Sequence, residues 1–116
     1  PDLIISSPAV RAITTCKYFA DELNYGEDKI QLVQDIYDAS AGGVLNIIGD
    51  TDDSVNTLML FGHNPAISNL SSYLTSMNFG EVPTCAVVCI EFSFKHWKDI
   101  HKNTGILKFF DYPNKK

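Results

Sequence analysis

Two segments of the chain share one pattern: an apolar run, then small or polar residues, then a proline followed by apolar residues at helical spacing. They are "LIISSPAVRA" at Leu3–Ala12 and "LMLFGHNPAIS" at Leu58–Ser68. Ser7 and Asn64 are of the types preferred at helix N-caps, and proline is favoured at the first helical position. The sequence therefore predicts two strands that each lead directly into a helix, which is typical of α/β proteins.

Further elements follow from the same kind of signal. Ile30–Asp35 and Val55–Phe61 are predicted strands, and Ser40 is predicted to cap a helix that its glycines weaken. The last two predicted strands, Cys85–Phe94 and Ile106–Tyr112, have a short connection and are expected to be antiparallel. The predicted fold is α/β, with three α/β/α layers and a mixed, mostly parallel central sheet.

Both junction helices carry an apolar stripe that should face the core. The first stripe consists of Ala9, Ile13, Cys16, Ala20 and Leu23, and the second of Ile67, Leu70, Leu74 and Met77.

Size and charge narrow the class of protein. A chain of 116 residues suits one domain, residues 1–116, and its 45% apolar and 20% charged residues are ordinary for a globular protein. The formal charge of −5 argues against a nucleic-acid partner, because that affinity depends on clustered cations. No apolar run approaches the roughly 20 residues that a spanning helix needs. We expect a soluble, cytoplasmic protein that does not bind membranes.

The three cysteines fit neither a disulfide framework nor a zinc site by spacing. Reduced core thiols are expected, and a metal site at Cys85 and Cys89 is the less favoured alternative. No arginine lies six residues after Cys16, so the loop of thiol phosphatases is absent. No metal or cofactor is predicted.

Arg11 and His63 follow the two predicted strand ends, where open α/β sheets bind their ligands. Helix N-termini attract anions, arginine can hold two phosphate oxygens, and histidine can donate a hydrogen bond or exchange a proton. Taken singly, each residue is more simply a solvated arginine or a hydrogen-bonded histidine. Together they predict a phosphate site, with His63 and Arg11 catalytic and Arg11, His63, Asn64 and Ser7 binding phosphate.

These junctions resemble the histidine phosphatase superfamily, which is phosphoglycerate mutase-like in fold, and within it the SixA-type phosphohistidine phosphatases. "PDLIISSPAVRAITTCKYFADEL" is similar to that group's PDL-hydrophobic-SSPAxRAxxTA segment, and "LMLFGHNPAISNLSSYL" to its GHNP segment. The resemblance puts Arg11 on the second phosphate-binding arginine and His63 on the second catalytic histidine. It extends to "IYDAS", to "PTCAVVCIEF" and to the ending from Trp97 to Pro113.

The superfamily's Arg-His-Gly or Arg-His-Ala tripeptide, which supplies the histidine nucleophile, does not occur in the chain. The resemblance implies that a strand, the nucleophile and a helix precede Pro1. In the superfamily that strand lies inside the sheet, beside the strand that ends at His63. We therefore expect these residues to be part of a longer natural chain.

By resemblance, the upstream histidine attacks phosphorus, water then releases the phosphoryl group, and Arg11 and His63 stabilise the phosphoryl oxygens. No convincing general acid is found, and Asp35 and Asp38 are more simply surface carboxylates. This favours a phosphohistidine protein substrate, because imidazole departs more readily than an alkoxide. His96 and His101 are expected to be surface residues.

Two alternatives stay open. One is a phosphatase of the same superfamily that acts on a small sugar or nucleotide phosphate ester. The other is a non-catalytic phosphate-binding regulatory module.

Overall fold

The computed structural model describes residues 1–80, 82–83 and 86–112. Within them, five strands and three α-helices form a mixed α/β fold, with short 3-10 turns between some of them. The strands are β1 (Leu3–Ser6), β2 (Gln31–Leu32), β3 (Leu58–Phe61), β4 (Val87–Phe92) and β5 (Gly105–Asp111), and the helices are α1 (Val10–Glu22), α2 (Ala41–Gly49) and α3 (Ala66–Thr75).

The first three strands form a parallel sheet in the order β2-β1-β3. Leu3 of β1 lies opposite Leu58 of β3, and Ser6 lies opposite Phe61. The mostly parallel arrangement that was predicted is confirmed for these three strands, and the carboxyl ends of β1 and β3 lie side by side.

Strands β4 and β5 form a separate antiparallel sheet with an irregularity between Cys89 and Ile90. Their antiparallel pairing was predicted correctly. The single mixed sheet was not, because no strand in the described residues joins β3 to β4. Strand β3, although entirely apolar, is only half-buried at each of its four positions.

Two hydrophobic clusters hold the helices on the parallel sheet. Alternate residues of β3 enter different clusters, as the two-residue period of a strand requires. Met59 and Phe61 pack with Cys16 and Ala20 of α1, whereas Leu60 packs against the cluster of α2 and α3.

Two strands are shorter than predicted. Instead of Ile30–Asp35, β2 contains two residues, because a 3-10 turn over Gln34–Ile36 follows it. The third strand begins at Leu58 rather than Val55, because the Asp2 carboxylate accepts the N–H groups of Asn56 and Thr57.

The junction helices begin later than predicted. Helix α1 has Ala9, not Ser7, at its N-cap, because the Ser7 hydroxyl accepts the Ala9 N–H before the helix starts. Helix α3 begins at Ala66, with Pro65 at the N-cap and a cis Asn64–Pro65 peptide bond. The predicted cap of α2 is confirmed, because Ser40 accepts the Gly43 N–H.

The predicted stripes are wrong at their last members. Leu23 and Met77 are 46% and 49% exposed, because each lies beyond the end of its helix. In α3 the chain turns away at Ser76, whose φ is 61°. Ala12 takes a buried position in α1 instead.

Two further predictions concern Cys85 and Pro113, which lie outside the described residues. Among the residues that are described, no helix is both long enough and apolar enough to span a membrane.

Candidate phosphate site

The two junctions meet at the carboxyl edge of the parallel sheet. Ser7 N–H donates to the carbonyl oxygen of Phe61 at 2.9 Å, so the β1 hydrogen-bond ladder continues past the end of both strands. This bond fixes the start of one turn against the start of the other. The residues that follow, Arg11 and His63, are therefore carried by adjacent segments.

Arg11 lies in the first turn of α1 and is exposed. Its side chain lines the same groove as His63. No described residue forms an ion pair with its guanidinium. A guanidinium group is always charged and planar, so at this position it can hold two oxygens of an anion.

His63 is half-buried and lies between two side chains. Its Nε2 is 2.8 Å from the hydroxyl oxygen of Ser7. On another side its ring meets Tyr37 edge to face, with 5.8 Å between the ring centroids. These contacts fix the imidazole ring and leave Nδ1 without a hydrogen bond from any described residue.

Ser7 was predicted to bind phosphate, and the structure places it beneath His63 with no exposed surface. Its hydroxyl oxygen also accepts the Ala9 N–H at 3.2 Å. Ser7 therefore contacts the site through His63, and direct phosphate binding by its side chain stays a prediction.

Asn64 was also predicted to bind phosphate, and its side chain joins α3 to the segment before β4. Its Nδ2 donates to the carbonyl of Val82 at 2.7 Å, and its Oδ1 accepts the Ser68 hydroxyl at 2.7 Å. Val82 N–H returns to the Ser68 hydroxyl oxygen at 2.8 Å, which closes the network. Phosphate binding by Asn64, which has one Nδ2 hydrogen left for it, stays a prediction.

A groove of about 1410 Å³ has both Arg11 and His63 in its lining. Residues of β3 and β4 line it too, as do residues of α1 and α3. Each of these two strands has only one neighbour among the described strands. The groove is therefore bordered by two strands that each lack a second partner in the described part of the chain.

The remaining candidates make no described contact with His63. Asp35 and Asp38 are exposed. His96 bonds to the Asp53 carboxylate at 2.8 Å and is itself about half-exposed, in keeping with the surface role predicted for it. Burial raises the pKa of the buried Cys16 thiol, which disfavours the thiolate that a nucleophile requires.

Tyr37 was not among the predicted site residues. It follows β2 at the same edge of the sheet as the two junctions, and its position after a strand end was the available signal. The contact with His63 joins residues far apart in sequence, so the pattern of either segment alone could not show it.

Comparison with known proteins supports the fold. No protein-family model matches the sequence, and no curated protein matches it. A structure from Agrobacterium tumefaciens, of a protein provisionally named phosphohistidine phosphatase SixA, superimposes with a TM-score of 0.74 at 22% identity. The matched region covers 97% of this chain and 68% of the Agrobacterium chain.

A second structure, of a protein from Nakamurella multipartitia with the same provisional name, gives a TM-score of 0.76 at 14% identity. The matched region covers 99% of this chain and 73% of the Nakamurella chain. At these identities the likeness establishes the fold alone. About a quarter to a third of each of those chains has no counterpart here.

Proposed function

We propose that this chain is the phosphate-binding part of a phosphatase that removes the phosphoryl group from protein phosphohistidine. The observation that carries the proposal is that Arg11 and His63 line one groove from adjacent ends of β1 and β3. Two proteins of the same fold, provisionally named phosphohistidine phosphatases, support it. A phosphorylated protein of the cytoplasm is the expected partner.

In this proposal the two side chains share the charge of one tetrahedral anion. The Arg11 guanidinium holds two oxygens, and His63 donates a hydrogen bond to a third. Fixed donors stabilise charge on the phosphoryl oxygens in the transition state more than in the bound substrate, which is the condition for catalysis. The proposed chemistry uses no metal or cofactor.

The nucleophile in this proposal is a histidine from a segment preceding Pro1, whose strand lies in the groove between β3 and β4. The available edges of β3 and β4 support this placement, because a strand there would give each of them a second neighbour. Laid parallel to β3, such a strand would end beside His63, since parallel strands bring their carboxyl ends to one edge. A residue directly after it would face the phosphate site.

The reaction would proceed in two displacements. The upstream imidazole forms a bond to phosphorus while the substrate's N–P bond breaks, and the substrate's imidazole, already protonated on its other nitrogen before the step, leaves as the neutral ring. Water then attacks the phosphorylated enzyme, releasing inorganic phosphate and restoring the histidine. An alkoxide leaving group would need a proton donor, and Asp35 and Asp38 are exposed residues with no described contact to His63, which favours phosphohistidine over a sugar ester.

The test uses the full-length protein, assayed with a phosphohistidine-containing protein and with a sugar phosphate. Arg11→Ala and His63→Ala should each lower kcat/KM by about 10²–10³, the usual cost of removing one donor to a developing anion. Lys17→Ala, also exposed on α1, and His101→Ala are the matched controls and should stay near wild type. All four variants should stay folded, and only His63→Ala should lose thermal stability, because it leaves the buried Ser7 hydroxyl without its acceptor.

Each alternative has its own outcome. Faster turnover of the sugar phosphate than of the phosphohistidine protein would indicate a phosphate-ester substrate and would leave the site assignment unchanged. Phosphate binding that depends on Arg11, with no turnover of either substrate, would identify a regulatory module. Full activity in both site variants would remove the site assignment.

A further inference from the structure

We propose that Ser7 is a positioning residue that sets the tautomer of His63. Its buried hydroxyl donates to Nε2, so that the neutral ring carries its proton on Nδ1, the nitrogen left for the anion. This inference concerns the same site as the proposed function and deepens it. The tautomer of His63 can be measured without an activity assay.

The hydroxyl of Ser7 is fixed on three counts. It has no exposed surface, and its oxygen lies 2.8 Å from Nε2 of His63. The same oxygen accepts the Ala9 N–H at 3.2 Å. The backbone is held as well, because Ser7 N–H bonds to the carbonyl of Phe61, two residues before His63.

The direction of the bond follows from counting donors and acceptors. A hydroxyl has one proton to donate and can accept two hydrogen bonds. The Ala9 N–H occupies one acceptor position of Ser7. Among the described residues, Nε2 is the only hydrogen-bond partner of the Ser7 oxygen that can take its proton.

The opposite tautomer is disfavoured by the same count. With its proton on Nε2, His63 would donate to Ser7, and the buried Ser7 proton would have no acceptor among the described residues. A buried donor without a partner is costly. The Ala9 N–H therefore donates to the Ser7 hydroxyl oxygen, and the Ser7 O–H donates to Nε2 of His63.

The consequence for the site is a donor at a defined position. In this tautomer Nδ1–H is free to bind one oxygen of the anion while Nε2 stays held from behind. Histidines that ligate or catalyse commonly have their second nitrogen fixed by such a partner. Ser7 would then act on the anion through His63 and not by touching it.

The experiment is a long-range ¹H–¹⁵N spectrum of the full-length protein labelled with ¹⁵N-histidine, recorded where the ring is neutral. A His63→Gln sample assigns the signals. The wild-type spectrum should show a protonated Nδ1 and an unprotonated Nε2. Ser7→Ala should shift the population towards the Nε2–H tautomer.

Ser6→Ala is the matched control, because Ser6 is equally buried but its hydroxyl donates to the Ser7 carbonyl instead of His63. Its spectrum at His63 should match wild type. In the phosphatase assay Ser7→Ala should lower kcat by roughly 10- to 100-fold, by analogy with metal-ligating histidines that lose their orienting partner. Ser6→Ala should leave kcat within a few-fold of wild type.

A protonated Nε2 in the wild-type protein would overturn the inference, and so would an unchanged tautomer in a folded Ser7→Ala variant. The wild-type spectrum decides the matter if neither variant folds. A protein with the expected tautomer but no phosphatase activity would remove the proposed function and leave the role of Ser7 intact.

Discussion

The rings of Tyr37 and His63 meet edge to face, with 5.8 Å between centroids and an interplanar angle of 62°. Tyr37 follows the turn after β2, and 53% of it is exposed. An aromatic ring that touches a site histidine and still has free surface can pack against a ligand's own ring. Tyr37 thus extends the candidate site beyond the two junctions.

We predict that Tyr37→Leu lowers kcat/KM for a phosphohistidine protein by about 2- to 10-fold, because an aromatic pair contributes about 0.5–1.5 kcal/mol beyond its buried area. Tyr37→Phe keeps the ring and should stay close to wild type. Steady-state kinetics on the full-length protein measure both. Tyr18→Leu, on the exposed side of α1, is the control.

An equal loss in Tyr37→Phe would mean that the hydroxyl matters and not the ring. Wild-type kinetics in Tyr37→Leu would show that Tyr37 has no part in substrate binding.

The closed network of Asn64, Ser68 and Val82 predicts a stability effect. Asn64→Ala removes the donor to the Val82 carbonyl and the acceptor of the Ser68 hydroxyl proton, and both of these residues are buried. We expect the free energy of unfolding to fall by about 1–3 kcal/mol, the usual cost of an unsatisfied buried group. Denaturant unfolding of the full-length protein measures it.

Asn69→Ala provides the comparison, since Asn69 lies on the exposed side of α3. It should change stability by less than about 0.5 kcal/mol, as surface substitutions usually do. Equal effects of the two substitutions would show that the network adds no stability beyond that of an ordinary surface asparagine.

The sequence was informative where structure is local and less so where it depends on distant segments. The two junctions were predicted because an apolar run, a proline and a helical stripe are all short-range signals. The hydrogen bond between Ser7 and His63 spans 56 positions, and no local pattern contains it. The Ser7 bonds also explain why the predicted N-cap of α1 was wrong. The Ser7 hydroxyl contacts His63 and the Ala9 N–H, and Ala9 takes the N-cap position.

The sheet shows the same limit. Alternation and apolar runs predicted β3 and β4 as strands, but not that they belong to two separate sheets. Pairing depends on what fills the space between them, and the described residues fill it with neither strand nor helix. Strand β3 is only half-buried, and its residues line the groove.

Asp2 gives a prediction about pH. Its carboxylate accepts the N–H groups of Thr57 and Asn56, and these bonds lower the pKa of Asp2 below its ordinary value of 3.8. A group whose pKa is lower in the folded state stabilises the fold above the unfolded pKa. That contribution is lost as the pH falls below 3.8 and through the folded pKa.

Asp2→Ala should therefore be less stable than wild type at about pH 7, with a difference that shrinks as the pH falls below 3.8. Urea unfolding across this range measures the difference. Asp21→Asn, which removes one carboxylate from an exposed position on α1, controls for net charge. A difference independent of pH would assign the effect to packing of the side chain instead of its charge.

The strand proposed to fill the groove predicts a hydrogen-exchange pattern in the full-length protein. A strand with one neighbour bonds only alternate N–H groups, whereas a strand with two neighbours bonds all of them. With the groove filled, every amide of Leu58–Phe61 should exchange slowly. Strand β5, which has β4 as its one described neighbour, is the internal reference and should show alternating protection along Gly105–Asp111.

Fast exchange at alternate positions of β3 would show that its outer edge is open to water in the natural protein. The nucleophile could then not be delivered by a strand in this position. Uniform protection of β3 and β4 together would support the placement, because a single inserted strand is the simplest way to pair both edges at once. Full protection of β3 alone would place a partner on that strand without joining the two sheets.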